Sequence, residues 1–164
     1  MLIALYVVLS VLTPVKLQNF KFTFEALPVL IGALLGGPLD GLAVGGIGSF
    51  IYQLLFSGYG LTVTTPLWVL PHALSGLIVG LYAKARRYDY SFMAVVIIAA
   101  VSALLVTALN TLALYIDAKV FGYYSKALVF GSLPLKILTG IILSVLFALI
   151  LPELLKRVRK IINN

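Results

Sequence analysis

The 164-residue chain has no cysteine, one histidine, one tryptophan and only 10% charged residues. Without cysteine it forms no disulfide, no thiolate metal site and no cysteine nucleophile. A single histidine cannot build a zinc centre, which takes three or four protein ligands. The shortage of charge excludes an ordinary soluble domain, where roughly 25% of residues are charged. There is no Gly-x-x-x-x-Gly-Lys-Ser/Thr phosphate loop and no Gly-x-Gly-x-x-Gly after a strand, so ATP hydrolysis by that route is excluded. No metal, cofactor or catalytic residue is expected.

What fills the chain instead is apolar: 62% of its residues, with a mean hydropathy of +1.15. A soluble chain of this size buries only about 70% of the surface it exposes unfolded, so the solvent must be lipid. At about 20 apolar residues per span, residues 1–164 hold at most about seven spans and no appended catalytic domain. They read as a single membrane domain. Residues 1–12 lack a basic n-region and a small-residue cleavage site, and read as a retained helix rather than a signal peptide.

Six apolar segments can be drawn, at 1–12, 26–35, 39–56, 66–83, 92–116 and 133–155. The expected fold is an all-α integral membrane protein, a bundle of six transmembrane helices with an outward-facing ligand pocket. The second segment is too short to cross a hydrocarbon core of roughly 30 Å, so it is tilted, broken or shielded by its neighbours. Half of the fourteen glycines lie between Gly32 and Gly48, including Gly32/Gly36 and Gly41/Gly45. Small residues at four-residue spacing let helix backbones approach in lipid, which predicts close packing of the second and third segments around Gly36-Gly37-Pro38.

The net charge of +7 would suggest nucleic acid in a soluble protein. Here it records topology. Seven of the twelve basic residues form two clusters, Lys84, Arg86 and Arg87, and Lys156, Arg157, Arg159 and Lys160. Two helices separate the clusters, so both fit the cytoplasmic side. Both termini are then cytoplasmic and the loops at 13–25, 57–65 and 117–130 lie outside. The charge thus implies a bilayer and no nucleic-acid partner.

Polar groups inside spans are costly and need a reason. Gln53, Trp68, His72, Asn110 and Lys136 fall one to two turns inside the proposed outer helix ends, at one depth of roughly 5–10 Å. They predict a polar pocket in the outer third, sealed inward by stretches without ionisable residues at 77–81 and 93–100. Each has a competing role. Trp68 suits a ligand face or an interfacial anchor. His72, on the same helix face as Trp68, suits ligand hydrogen bonding, a helix–helix bond or a proton relay, and Asn110 suits a heterocycle edge or interhelical adhesion. Lys136 suits a substrate carboxylate or snorkelling. The loop at 56–66, with Tyr59 among glycines and threonines, could close as a lid or simply connect. Tyr115, Tyr123 and Tyr124 could line the mouth or an aromatic belt. Glu25 reads as structural, paired with Lys21 or favouring a helix start, and Asp40 as a helix-start residue. An intramembrane enzyme would need an acid/base pair or an activated nucleophile, and a channel would need polar residues along a whole helix face; neither pattern is present.

The motifs Phe24-Glu-Ala-Leu-Pro-Val-Leu-Ile-Gly-Ala-Leu-Leu-Gly-Gly-Pro38, Gly41-x-x-x-Gly45, Tyr59-Gly60, Ser75-Gly76-Leu-Ile-Val-Gly80 and Leu109-Asn110-Thr111-Leu112 run nearly the length of the chain. With them the chain resembles the substrate-binding S components of energy-coupling factor (ECF) vitamin transporters, most closely the folate-type branch. The resemblance implies a six-helix protein of the bacterial cell membrane that captures a vitamin from outside. It would release it inside by toppling when docked on a transmembrane coupling protein, the T component, driven by two ATP-binding subunits. Folate or a related pterin comes first, with pantothenate or a pyridoxine-type vitamin as alternatives, since folate-type members commonly carry Trp where this chain has Ala113. Docking in the family uses Ala-x-x-x-Ala on helix one, of which this chain has Ala4. The partner alanine would precede Met1, implying either a later start or a reduced docking face.

Overall fold

The computed structural model describes residues 1–12, 15–17, 20–22, 24–58 and 60–162. In chain order these form α1 (Leu2–Leu12), β1 (Val15–Leu17), β2 (Phe20–Phe22), α2 (Ala26–Gly36), α3 (Pro38–Phe56), α4 (Thr65–Ala85), α5 (Phe92–Val120), α6 (Lys126–Phe130) and α7 (Leu133–Ile162). All six apolar segments are helical, and α5 and α7 run one to two turns beyond their expected ends. Two elements inside expected loops were not anticipated. One is the five-residue α6. The other is an antiparallel hairpin that pairs Val15 with Phe22 and Leu17 with Phe20, in three-residue strands too short for periodicity to reveal.

The helices α3, α4, α5 and α7 are long and apolar enough to cross a membrane, whereas α1 and α2 have 11 residues each. At 1.5 Å per residue α2 is about 16 Å long. Its residues from Pro28 to Leu34 are all buried, so of the three routes open to a short apolar helix this one is shielded by its neighbours. Protein, rather than lipid, surrounds its middle.

The turn from α2 to α3 depends on Gly37, whose φ of 94° lies in the left-handed region and where a Cβ would meet the Tyr88 hydroxyl. Pro38 then opens α3, a position where its missing N–H is no loss. The glycine spacing does produce close approach, between α2 and α3 as expected and, more closely still, between α3 and α4. A Cβ on Gly41 would overlap the Gly76 carbonyl, and one on Gly45 the His72 carbonyl, so the tightest backbone contact joins α3 to α4. Gly32 and Gly36 instead receive the α3 side chains of Val44 and Asp40. Lipid removes the hydrophobic drive between helices, so this packing is van der Waals contact that small residues make possible.

At the end of the bundle where α4 hands over to α5, Leu34, Val79, Ala83, Val95, Leu151 and Leu155 form part of one buried apolar cluster. Tyr90 closes its edge by donating to the Leu34 carbonyl at 3.0 Å. α4 stops there through Arg87 and Tyr88, both at positive φ, with the Tyr88 amide returning to the Ala83 carbonyl at 2.9 Å. Ser91 caps α5 by accepting from the Ala94 amide at 3.3 Å.

Candidate ligand-binding site

Above that cluster the helices part around a cavity of about 400 Å³. One wall belongs to α5 and α7, which run antiparallel. Ala99, Ala103, Val106, Asn110 and Leu114 line it from α5, and Lys136, Gly140, Leu143, Ser144 and Phe147 from α7. Steps of three and four residues confine each set to one helix face. The register is fixed where the Ser144 hydroxyl donates to the Ala99 carbonyl at 3.2 Å. The rest of α7 explains its strong apolar character: Leu138, Ile141, Ile142, Val145 and Leu149 are exposed, as a lipid-facing surface requires.

The other wall comes from the first four helices: Tyr6 from α1, Glu25 and Leu30 at α2, Tyr52 and Gln53 from α3, and Trp68 and His72 from α4. α4 is joined to α5 by a 2.6 Å hydrogen bond between the Ser75 and Ser102 hydroxyls. In this way the cavity draws on α1 to α5 and α7, with Leu128 of α6 at its edge.

The charged centre of this wall is Glu25. It occupies the N-cap position of α2 and makes no side-chain cap hydrogen bond. Its carboxylate instead turns to α1 and α4: Oε2 lies 2.7 Å from the Ser10 hydroxyl, and Oε1 3.4 Å from His72 Nε2. Ser10 has one proton to divide between Glu25 and the Tyr6 carbonyl 2.8 Å away. The Tyr6 ring meets the His72 ring edge-on, at 5.4 Å between centroids and 80°, which fixes the imidazole plane. Glu25 thus stands at the helix start, as expected, and also on the cavity wall, while the expected pairing with Lys21 lies outside the described side chains. Spacing along the chain could suggest Lys21 as a partner, but not the convergence of α1 and α4 on the same carboxylate.

A second polar group gathers around Asp117, beside the cavity-lining Trp68. Asp117 accepts hydrogen bonds from the Thr64 hydroxyl and from the Tyr123 hydroxyl. The Trp68 indole N–H points at the same carboxylate from 3.5 Å. Thr64, at the N-cap of α4, spends its hydroxyl on this contact rather than on a cap. Asp117 escaped the sequence reading because α5 was expected to end at 116. The usable signal was its place two turns beyond Asn110 on the same face.

Of the residues expected to bind ligand, Gln53, Trp68, His72, Asn110 and Lys136 meet around the one cavity. Tyr59 lies outside the described residues. Tyr115 does not join the cavity: five residues beyond Asn110 it is turned by about 140° around α5. It borders a separate shallow cleft with Thr111 and Phe130, where its ring meets Tyr124 edge-on at 5.5 Å and the Lys119 ammonium sits 4.2 Å from the Tyr124 centroid. Ala4 lies exposed on α1.

A family model described as "ECF transporter, substrate-specific component" matches residues 1–151. A curated relative from Streptococcus pneumoniae (strain Hungary19A-6), called "UPF0397 protein", is 37% identical over 87 residues, which is 51% of this chain and 44% of the relative. The match thus spans less than half of that relative's length.

Proposed function

This chain belongs to the family of ECF transporter substrate-specific components, and from that premise we propose that it captures a vitamin, folate or a related pterin first, in the cavity between its helices. Proteins of this family are substrate-binding membrane subunits that work with a T component and ATPase modules. The carrying observation is the cavity itself. Its volume of about 400 Å³ suits a vitamin-sized molecule. Its lining offers the flat faces of Trp68 and Tyr52, the amides of Gln53 and Asn110, and the cation of Lys136. In this reading Asn110 and Gln53 read the edge of a heterocycle and Lys136 meets a carboxylate. The mouth, marked by Thr64, Trp68 and Asp117, faces outward, and the apolar cluster seals the cytoplasmic side. Release inside then follows docking through the α1 face that carries Ala4 and toppling driven by ATP hydrolysis in the partner subunits.

Trp68 lines the cavity and is the chain's one tryptophan, so its emission reports occupancy. Purified protein in detergent is titrated with folate, pterin-6-carboxylate, pantothenate and pyridoxine. A saturable change at micromolar ligand or below is the expected result, strongest for the pterin compounds. Silence with every compound, in calorimetry as well, would remove the vitamin-binding reading.

A further inference from the structure

The polar groups on the α5–α7 wall of the cavity are of two kinds. Most of the hydroxyls are spent inside the protein: Ser102 pairs with Ser75 at 2.6 Å, Thr139 donates to the Leu135 carbonyl at 2.8 Å, and Ser144 divides its proton between the Gly140 and Ala99 carbonyls. The Thr107 hydroxyl and the Lys136 ammonium differ from these. Both line the cavity, and among the described residues neither has a hydrogen-bond or ion-pair partner. The register brings them to one level. Ser144 meets Ala99, and a Cβ on Gly140 would lie 3.5 Å from the Ala103 Cβ and 3.8 Å from Thr107 Oγ1. One turn further along the antiparallel pair, Lys136 stands across from Thr107, about 12 Å along the helix from the Ser144–Ala99 contact. A lysine that only snorkelled would share the exposed face of Leu135 and Leu138, whereas Lys136 faces inward. An ammonium inside a helix bundle is costly without a counter-charge. The carboxylate of the opposite wall does not supply one, because Glu25 is already engaged by Ser10 and His72.

Resting on the vitamin-capture reading, we propose that Thr107 and Lys136 together form an acid subsite, which selects vitamins bearing a carboxylate over their neutral counterparts. A carboxylate has two oxygens and accepts from both groups at once. Lys136 supplies the charge, and charge-assisted hydrogen bonds are the strong ones. Thr107 supplies a second donor on a side chain whose β-branch restricts its rotamers, so little entropy is lost when the acid arrives. A neutral ligand would leave Lys136 unmatched in a low-dielectric site, and a cationic one would meet it as like charge. Glu25 then serves to hold Ser10 and His72 in place. The ring of the ligand is left to Trp68 and to the amides of Gln53 and Asn110.

The test uses two matched pairs in which an alcohol replaces the acid: pterin-6-carboxylate with 6-hydroxymethylpterin, and pantothenate with pantothenol. Purified protein in detergent is titrated with each compound, read by Trp68 emission and by calorimetry. In the pair that binds, the acid is expected to be preferred by roughly thirtyfold or more, as loss of one partner of a buried charge contact predicts. Lys136→Met keeps the stem without the charge, and is expected to reduce that preference to within about threefold. Thr107→Val keeps the shape without the hydroxyl. It is expected to weaken the acid by about five- to tenfold and to leave the alcohol unchanged, with Thr107→Ser restoring the acid. Should the Lys136 variant not fold, the wild-type comparison and the Thr107 variants decide. Equal wild-type affinities within the pair, or a preference that survives Lys136→Met, overturns the acid subsite and leaves vitamin capture standing. So does Thr107→Val with no loss, or with the same loss for acid and alcohol. No binding by any of the four compounds overturns both readings.

Discussion

Glu25 and Gly45 show the two ways in which a single position acquired its meaning. A carboxylate four residues from Lys21 has an obvious local reading, and only the approach of Ser10 and His72 at 2.7 and 3.4 Å draws it to the cavity. Gly45 was the reverse case: its spacing from Gly41 announced a helix contact in advance, and the fold supplied the partner. A Cβ at Gly45 would overlap backbone atoms of His72, whereas one at Gly46 would meet the Ala73 Cβ at an ordinary 3.5 Å. Gly45→Ala is therefore expected to destabilise the bundle by roughly 1–3 kcal/mol, as overpacking does, and Gly46→Ala to have little effect. Thermal unfolding in detergent separates the two. Equal midpoints would show that α3 and α4 do not meet at Gly45. Because the overlap is with His72 itself, the Gly45 variant is also expected to weaken any ligand that His72 contacts.

Elements were most legible where apolar runs were long. The α5 and α7 faces lining the cavity follow from helical periodicity once Asn110 and Lys136 are placed on them, and the same periodicity turns Tyr115 away. The junction between α4 and α5 was not legible, because its key residue stood in a presumed loop. Asp117 ties the start of α4 to the end of α5 through Thr64 and Trp68, and reaches the following loop through Tyr123. Replacing Asp117 with Ala removes the common acceptor and leaves its donors to find water. The expected cost is about 1–3 kcal/mol, concentrated at this end of the bundle. Hydrogen exchange is expected to rise in residues 62–68 and 117–123 and to stay unchanged in the apolar cluster around Val79 and Val95. Uniform acceleration across the chain would mean that the contact supports the whole fold rather than this junction.

For the whole molecule, orientation is the property on which outward capture depends, and the absence of cysteine makes it directly measurable. Ser125 and Ala85 are both exposed, one in the connection after α5 and the other at the end of α4. With Ser125→Cys in intact cells, a membrane-impermeant maleimide is expected to label the protein. With Ala85→Cys, labelling is expected only after permeabilisation. The opposite pattern would invert the bundle and turn the cavity mouth to the cytoplasm.

The sequence by itself determined the solvent, the six apolar helices and five of the side chains that meet around the cavity. These follow from composition, from the 3.6-residue repeat and from the cost of polar groups in lipid, all of which act locally along the chain. Tertiary structure decided which helices touch, that α2 is shielded, and that Asp117 joins α4 to α5. It also decided that Glu25 stands on the cavity wall. Each of these depends on residues far apart in sequence brought within a few ångströms, and no local pattern encodes that distance.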